Sequence, residues 1–293
     1  MSREGELMEL SDINILIEVA KTGNISHAAK QLNYSQSNIT ARIKKLEKEY
    51  NVQLFNRYPK GVILTSKGEQ FVDYALKIRN LLDDLEKEMQ DTGEPSGNLK
   101  IGIVETAASS RFINILNEYQ FMYPEVSISL INATSTKLLK KVQDHEIDGA
   151  FISGDFNESG LKVDYQMEDT VHLISKQTES PPESLCKVSW VVFPEGCPYR
   201  AITEEFLKEE DLSAKNVIEV STIDNLLSCV KLGIAFTIMP KTVIQEEVGE
   251  FSIYNLSSRF TETTTKFVRC NDVYVTKAYD KFIELLNEKS INF

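Results

Sequence analysis

The chain has 293 residues, 42% hydrophobic and 26% charged, which excludes a disordered polymer and allows two or three domains, each with its own core. Its net charge of −12, taken whole, argues against a nucleic-acid partner. No stretch approaches the roughly 18 apolar residues of a membrane span, and the charged start MSREGELMEL lacks the apolar region of a secretory signal, so residence in the cytosol is expected.

The distribution of charge reverses the first impression. Residues 1–90 balance 13 Lys/Arg against 13 Asp/Glu, and within them residues 21–67 hold 9 basic side chains against 2 acidic ones, Glu47 and Glu49. Residues 91–293 hold 19 basic and 31 acidic side chains and carry the whole −12. A basic patch on an acidic protein confines phosphate attraction to one surface and keeps the remainder off a polyanion.

The first predicted helix has Leu10, Ile13, Leu16, Ile17 and Ala20 near helical spacing and stops at Gly23. Asn24 or Ser26 is positioned to cap a short second helix that runs to Leu32. Ala28-Ala29 supplies the small side chains that two closely crossing helices require. Ser35 caps a third helix reaching about Tyr50, with Ile39, Ile43 and Leu46 on its buried face. Leu54-Phe55, a Pro59-Lys60-Gly61 turn and Val62-Ile63-Leu64 predict a two-stranded wing. From Ser66 to about Gln90, Phe71, Tyr74, Ala75, Ile78, Leu81, Leu82 and Leu85 form an apolar stripe on a long helix of the kind that pairs with another helix.

If the third helix enters a major groove, its first turns carry suitable readers. Gln36 and Asn38 match adenine, Arg42 matches guanine, and the Thr40 methyl can pack on thymine. Ser35 and Ser37 stand at the helix entry, and Lys44, Lys45 and Lys48 suit phosphates. The alternative for any of these residues is a solvated polar face.

Residues 91–97, rich in Gly, Pro and Ser, read as a hinge. Beyond it, β-rich runs at 99–104, 126–131, 149–153, 171–175, 188–193, 217–220, 234–238 and 266–268 alternate with helical stretches at about 109–121, 135–144, 200–209, 222–232 and 276–289. Alternation of this kind predicts α/β layers with mostly parallel strands. About 200 residues suit two lobes with a cleft between them, where ligands favour the strand C-terminal ends.

Between residues 12 and 68 the spacing becomes specific. Ile15, Glu18, Val19, Ala20, Gly23, Asn24, Ile25, Ser26, Ala28, Ala29 and Leu32 lead to Ser35, Gln36, Ser37, Ile39, Thr40, Ile43, Leu46 and Glu47. Leu54, Phe55, Arg57, Leu64, Thr65 and Gly68 follow. This run resembles the DNA-binding domain of the LysR family of transcriptional regulators, and the remainder resembles that family's effector domain more loosely. Ser37, Thr40 and the Ala41-Arg42 pair depart from the residues common in the family, so an operator sequence cannot be transferred.

The resemblance implies an α+β multidomain chain. A winged helix-turn-helix would span 1–65, a dimerising linker helix 66–90, and a periplasmic-binding-protein-like effector domain 91–293. The effector domain would divide into lobe 1 (about 98–165 and 266–293) and lobe 2 (about 166–265). It also implies double-stranded DNA, a small-molecule effector, RNA polymerase and a second copy of the chain as partners, the last as homodimer or homotetramer. Arg57 would reach a neighbouring groove. No cofactor, membrane partner or enzymatic activity is expected.

Three loops are candidates for the effector. Residues 105–110 bring Thr106 and Ser109 to a helix start, where hydroxyls and free N–H groups suit an anion; plain N-capping is the alternative. Residues 193–200 bring Cys197 and Arg200, with Arg200 able to pair with a carboxylate ligand or with Glu204. Residues 219–222 bring Ser221 and Thr222, and Ser153 belongs to the opposite wall. The expected effector is a small anionic metabolite between Thr106/Ser109 and Arg200/Ser221/Thr222.

A thiol redox sensor built on Cys197 would share the fold, although the sequence offers no evident resolving cysteine. Cys186, Cys197, Cys229 and Cys270 lack CxxC spacing and read as reduced thiols. His27, His145 and His172 lack metal-ligand spacing. An enzyme is disfavoured by the missing Ser-His-Asp set, Walker loop and dinucleotide glycine run. A periplasmic solute-binding protein would match the two lobes but not the DNA module or the missing signal.

Overall fold

The computed structural model describes residues 8–90, 93–108, 110–176, 185, 188–245, 249–256, 260 and 262–289. The chain divides into two compact units, Met1–Gln90 and Asp91–Phe293.

The first unit contains α1 (Leu10–Thr22), α2 (Ile25–Gln31), α3 (Gln36–Tyr50), the hairpin β1 (Phe55–Tyr58) and β2 (Gly61–Leu64), and α4 (Ser66–Gln90). Local chemistry sets these boundaries. Gly23 closes α1 in the left-handed region at φ 61°. The Asn24 side chain, rather than Ser26, caps α2 by accepting from Ser26 N and His27 N. Ser35 caps α3 by accepting from Asn38 N at 3.2 Å. The core gathers Ile15, Leu16 and Val19 of α1, Ala28 and Ala29 of α2, Ile39, Ile43 and Leu46 of α3, Leu54 and Ala75. Gly68 is required where α4 passes the wing, because a Cβ there would lie 2.1 Å from the Leu54 carbonyl oxygen.

The second unit is built on a nine-stranded sheet. Its elements are β3 (Gly97–Ile103), α5 (Ser110–Met122), β4 (Val126–Asn132), α6 (Ser135–Gln143), β5 (Gly149–Ser153), β6 (Leu161–Lys176), β7 (Ser189–Val192), α7 (Pro198–Glu209), β8 (Asn216–Glu219), α8 (Ile223–Lys231), β9 (Ala235–Pro240), α9 (Lys241–Gln245), β10 (Phe251–Asn255), β11 (Glu262–Cys270) and α10 (Lys277–Glu288). The strand order is β4-β3-β5-β11-β6-β9-β7-β8, with β10 also on β6.

The expectation of mostly parallel strands is corrected. β3 pairs in parallel with β4 and β5, and β7 with β8 and β9, but β6 and β11 are antiparallel to every strand they meet. Two cores lie along this sheet. One gathers Ile101, Phe112, Tyr119, Leu138, Phe151, Phe267 and Phe282, and the other Val171, Ile174, Trp190, Phe206, Leu226, Val230 and Ile238. β6 serves both: residues 161–170 pair with β11, and residues 171–176 pair with β9 and β10.

Candidate nucleic-acid interface and effector cleft

The surface of α3 carries the candidate readers. Ser35, Gln36, Ser37, Asn38, Lys44, Lys45 and Arg57 are exposed, whereas Thr40 and Arg42 are half-buried. The Ser35 hydroxyl is committed as the cap and also meets the Ser37 hydroxyl at 3.0 Å. The exposed side chains follow from the buried positions Ile39, Ile43 and Leu46, which turn one face of α3 inward and leave its entry and opposite face in solvent. Arg57 projects from β1 of the wing.

Arg42 is engaged differently from the sequence expectation. Its Nε contacts Asp12 Oδ1 at 2.7 Å, and its guanidinium also bonds Glu9. Asp12 is only 2% exposed on the inner side of α1, so burying it needs a charge partner. The guanidinium thus ties α1 to α3 instead of lying open towards a base edge. The pairing was hidden in the sequence because Asp12 and Arg42 are 30 positions apart and no local rule links them. A bond from Ser11 and the Arg42 guanidinium hold the exposed Glu9 carboxyl below its ordinary range. Glu47 completes the frame, its Oε1 accepting from Leu54 N and Phe55 N at 2.9 and 3.3 Å and so fixing the entry to the wing.

In the second unit a cleft of about 870 Å³ opens between the two cores. It brings together Ser153, Cys197 and Arg200 from the expected set, but Thr106, Ser221 and Thr222 are not among its lining residues. Ser109 lies outside the described residues. Thr106 is buried in a 3-10 turn, Glu105–Ala107, and bonds the Tyr199 hydroxyl. Thr222 is spent capping α8, accepting from Asn225 N at 3.4 Å. Ser221 is exposed. The adjoining carboxylate Glu105 bonds Asn132 and accepts from Ile223 N at 3.4 Å.

Inside the cleft the polar groups largely satisfy one another. Ser153 Oγ meets Thr265 Oγ1 at 2.6 Å, while its backbone exchanges bonds with the Ser135 hydroxyl at 3.0 and 3.1 Å. Arg200 bonds Glu204 at 2.8 Å, Glu219 at 2.6 Å and the Phe193 carbonyl at 3.3 Å. Around it the lining presents Asp155, Glu195, Glu204, Glu205 and Glu262, so carboxylates outnumber the single arginine. Gly196 marks a close approach of the two walls. It has φ 89°, and a Cβ there would lie 2.9 Å from Thr136 Oγ1.

Cys197 stands at the N-cap of α7. Burial pushes its thiol up, against smaller opposing effects from backbone bonds and Arg200. That is the reverse of the low-pKa thiolate a redox sensor uses.

Among the described residues no helix is long and apolar enough to cross a membrane. Residues 10–69 match the family model for the bacterial regulatory helix-turn-helix protein, lysR family, and residues 92–290 match the LysR substrate binding domain. The chain is 36% identical to the HTH-type transcriptional regulator SoxR of Arthrobacter sp. (strain TE1826), covering 95% of this chain and 96% of that one. It is also 36% identical to the HTH-type transcriptional regulator CzcR of Bacillus subtilis (strain 168), covering 96% and 98%. Its fold is similar to that of full-length CbnR complexed with target DNA, with a TM-score of 0.62, 20% identity, and coverage of 96% and 99%. The chain belongs to the LysR family of bacterial transcriptional regulators, as a DNA-binding protein with an effector-binding domain.

Proposed function

We propose that this regulator reads duplex DNA with the N-terminal half of α3 and adjusts that reading to a small molecule held in the cleft of its second unit. The observation that carries the first part is the exposed polar entry of α3, capped by Ser35 and followed by Lys44 and Lys45, on a segment of strong local positive charge. Gln36, Ser37, Asn38 and Thr40 are the base readers in this reading. Lys44, Lys45 and Arg57 meet phosphates or the adjoining groove. Arg42 is a positioning residue.

A second copy of the chain completes the reader. Tyr74, Ile78, Leu81, Leu85 and Met89 of α4 are all exposed and recur at three- and four-residue steps. Such a seam favours burial against its own counterpart. A two-fold dimer then presents two copies of α3 to half-sites separated by a multiple of about one helical turn. Tetramer formation and contact with RNA polymerase belong to the same reading through the family.

The expected anionic effector held by Arg200 receives little support from the geometry, since Arg200 already faces two carboxylates. Five acidic side chains line the cleft against that one arginine. The charge balance instead favours an effector carrying an amine or guanidine. Genomic DNA bound by the full-length protein, recovered and assayed by mobility shift with and without amines (putrescine, arginine) and carboxylates (citrate, 2-oxoglutarate), tests both parts. Amines should shift the DNA affinity and carboxylates should not. Carboxylate-dependent binding would overturn the charge assignment, and failure to bind any fragment would overturn the DNA reading.

A further inference from the structure

The sequence scatters its histidines and cysteines, but the fold gathers three donors at one end of the first core. A ring nitrogen of His145, Cys270 Sγ and a carboxylate oxygen of Asp272 all lie within 4.8 Å of one another. His145 follows the C-terminal end of α6, and Cys270 and Asp272 sit at the end of β11 and just beyond it. Cys270 is 6% exposed, while the side chain of Asp272 is 71% exposed.

We infer that His145, Cys270 and Asp272 form a binding site for a divalent transition cation of the zinc type. The donor set is one imidazole nitrogen, one thiolate and one carboxylate, the mixture that a borderline cation takes in tetrahedral sites. Bond lengths of about 2.0–2.3 Å give tetrahedral donor separations of roughly 3.4–3.7 Å. No separation therefore needs to close by more than about 1 Å, and His145 Nε2 and Asp272 Oδ1 are already 3.9 Å apart. That distance is too long for a hydrogen bond and close to a ligand–ligand edge. Solvent supplies the fourth position on the exposed Asp272 side.

The formal charges balance, although burial and Asp272 push the Cys270 thiol up to about 11 without a cation, so the cation has to displace the proton. One thiolate and one carboxylate neutralise a divalent ion, with His145 neutral. The thiol hydrogen, now donated to the Val142 carbonyl at 3.2 Å, leaves to solvent on binding, and no electron is transferred. Arg269 is the nearby cation, but its guanidinium is held by Asp164 at 2.9 Å and by the Cys270 carbonyl at 2.8 Å.

Occupancy would have a mechanical effect on the cleft. The N-terminal part of α6 presents Ser135, Thr136 and Leu139 to it, and β11 presents Glu262, Thr263 and Thr264. A cation joining the opposite ends of these elements fixes one wall of the cleft without entering it.

Full-length protein stripped with chelator and titrated with cobalt(II) provides the test. One equivalent should bind with a thiolate-to-cobalt charge-transfer absorption and be displaced by zinc. Cys270→Ser should abolish that absorption. His145→Asn, chosen because His145 has φ 54° and asparagine tolerates the left-handed region, should weaken binding at least tenfold. Asp272→Asn changes an exposed side chain and should also weaken it while leaving the fold intact. Absence of a one-to-one cobalt complex, or a charge-transfer band that survives Cys270→Ser, overturns the proposal.

Discussion

The entry of α3 and the wall of the cleft both carry Ser, Thr and Asn side chains and one arginine each, yet they use these side chains in opposite ways. On α3, Gln36, Ser37 and Asn38 point into solvent. In the cleft, Ser153 bonds Thr265 and Ser135, and Arg200 bonds Glu204 and Glu219. A surface built to read a polar partner presents donors and acceptors in water, where the partner replaces solvent. Polar groups inside a folded wall must satisfy one another, because an orphaned buried group costs free energy. A polar residue in the second setting is therefore weaker evidence for a ligand than the same residue in the first.

The contrast can be broken most forcefully at α4. Leu81→Asp with Leu85→Asp should dissolve the dimer in analytical ultracentrifugation and lower affinity for a two-half-site operator by about 10²–10⁴, the usual scale of lost bivalency. Operator affinity that survives in a proven monomer would refute the paired reader. Next in size, Lys44→Glu with Lys45→Glu should weaken binding by about 100-fold at low salt and flatten the salt dependence, as measured by fluorescence anisotropy at several ionic strengths. An unchanged salt slope would remove both lysines from the phosphate contacts.

Asp12→Ala sharpens the comparison by probing a polar pair inside the reading unit itself. It leaves Arg42 without its buried partner and should cost about 1–3 kcal/mol in denaturant unfolding. If Arg42 instead reads a base, Arg42→Met should alter operator preference, whereas a positioning role predicts weaker binding with the same preference. Gly196→Ala places a side chain at φ 89° beside Thr136 and should cost about 1–2 kcal/mol. The smallest stability effect belongs to Arg200→Ala. Glu204 and Glu219 are more than half exposed, so unfolding should change by less than about 1 kcal/mol. Calorimetry should detect no loss of affinity for any effector; a loss specific to a carboxylate would restore the anion role to Arg200.

Legibility in the sequence followed the range of the interactions. Asn24 and Ser35 act through neighbours two or three residues away, and their types announced the helix starts; the contact of Gly68 with Leu54, fourteen positions apart, had no such local signal. The Ala28-Ala29 pair marked a close helix crossing, and both residues are buried. By contrast, the first half of β6 was missed. Leu161, Val163, Tyr165 and Met167 alternate as a strand requires, but Lys162, Asp164, Gln166, Glu168 and Asp169 gave the stretch the polarity of a loop. β10 also went unseen, its Phe251 and Ile253 being separated by Ser252 and followed by Asn255 in a stretch without a continuous apolar run. The cleft was half legible. Ser153, Cys197 and Arg200 do share it, but their hydrogen-bond partners come from distant strands and helices that spacing alone cannot pair.

β6 carries a consequence for how the second unit deforms. A strand of sixteen residues spans about 50 Å and runs unbroken from one core into the other. The cores therefore share a leaf spring and not a free pivot. Displacement of one against the other should be taken up as twist and flexure along β6, with amide exchange remaining slow in its ladders to β11 on one half and to β9 and β10 on the other.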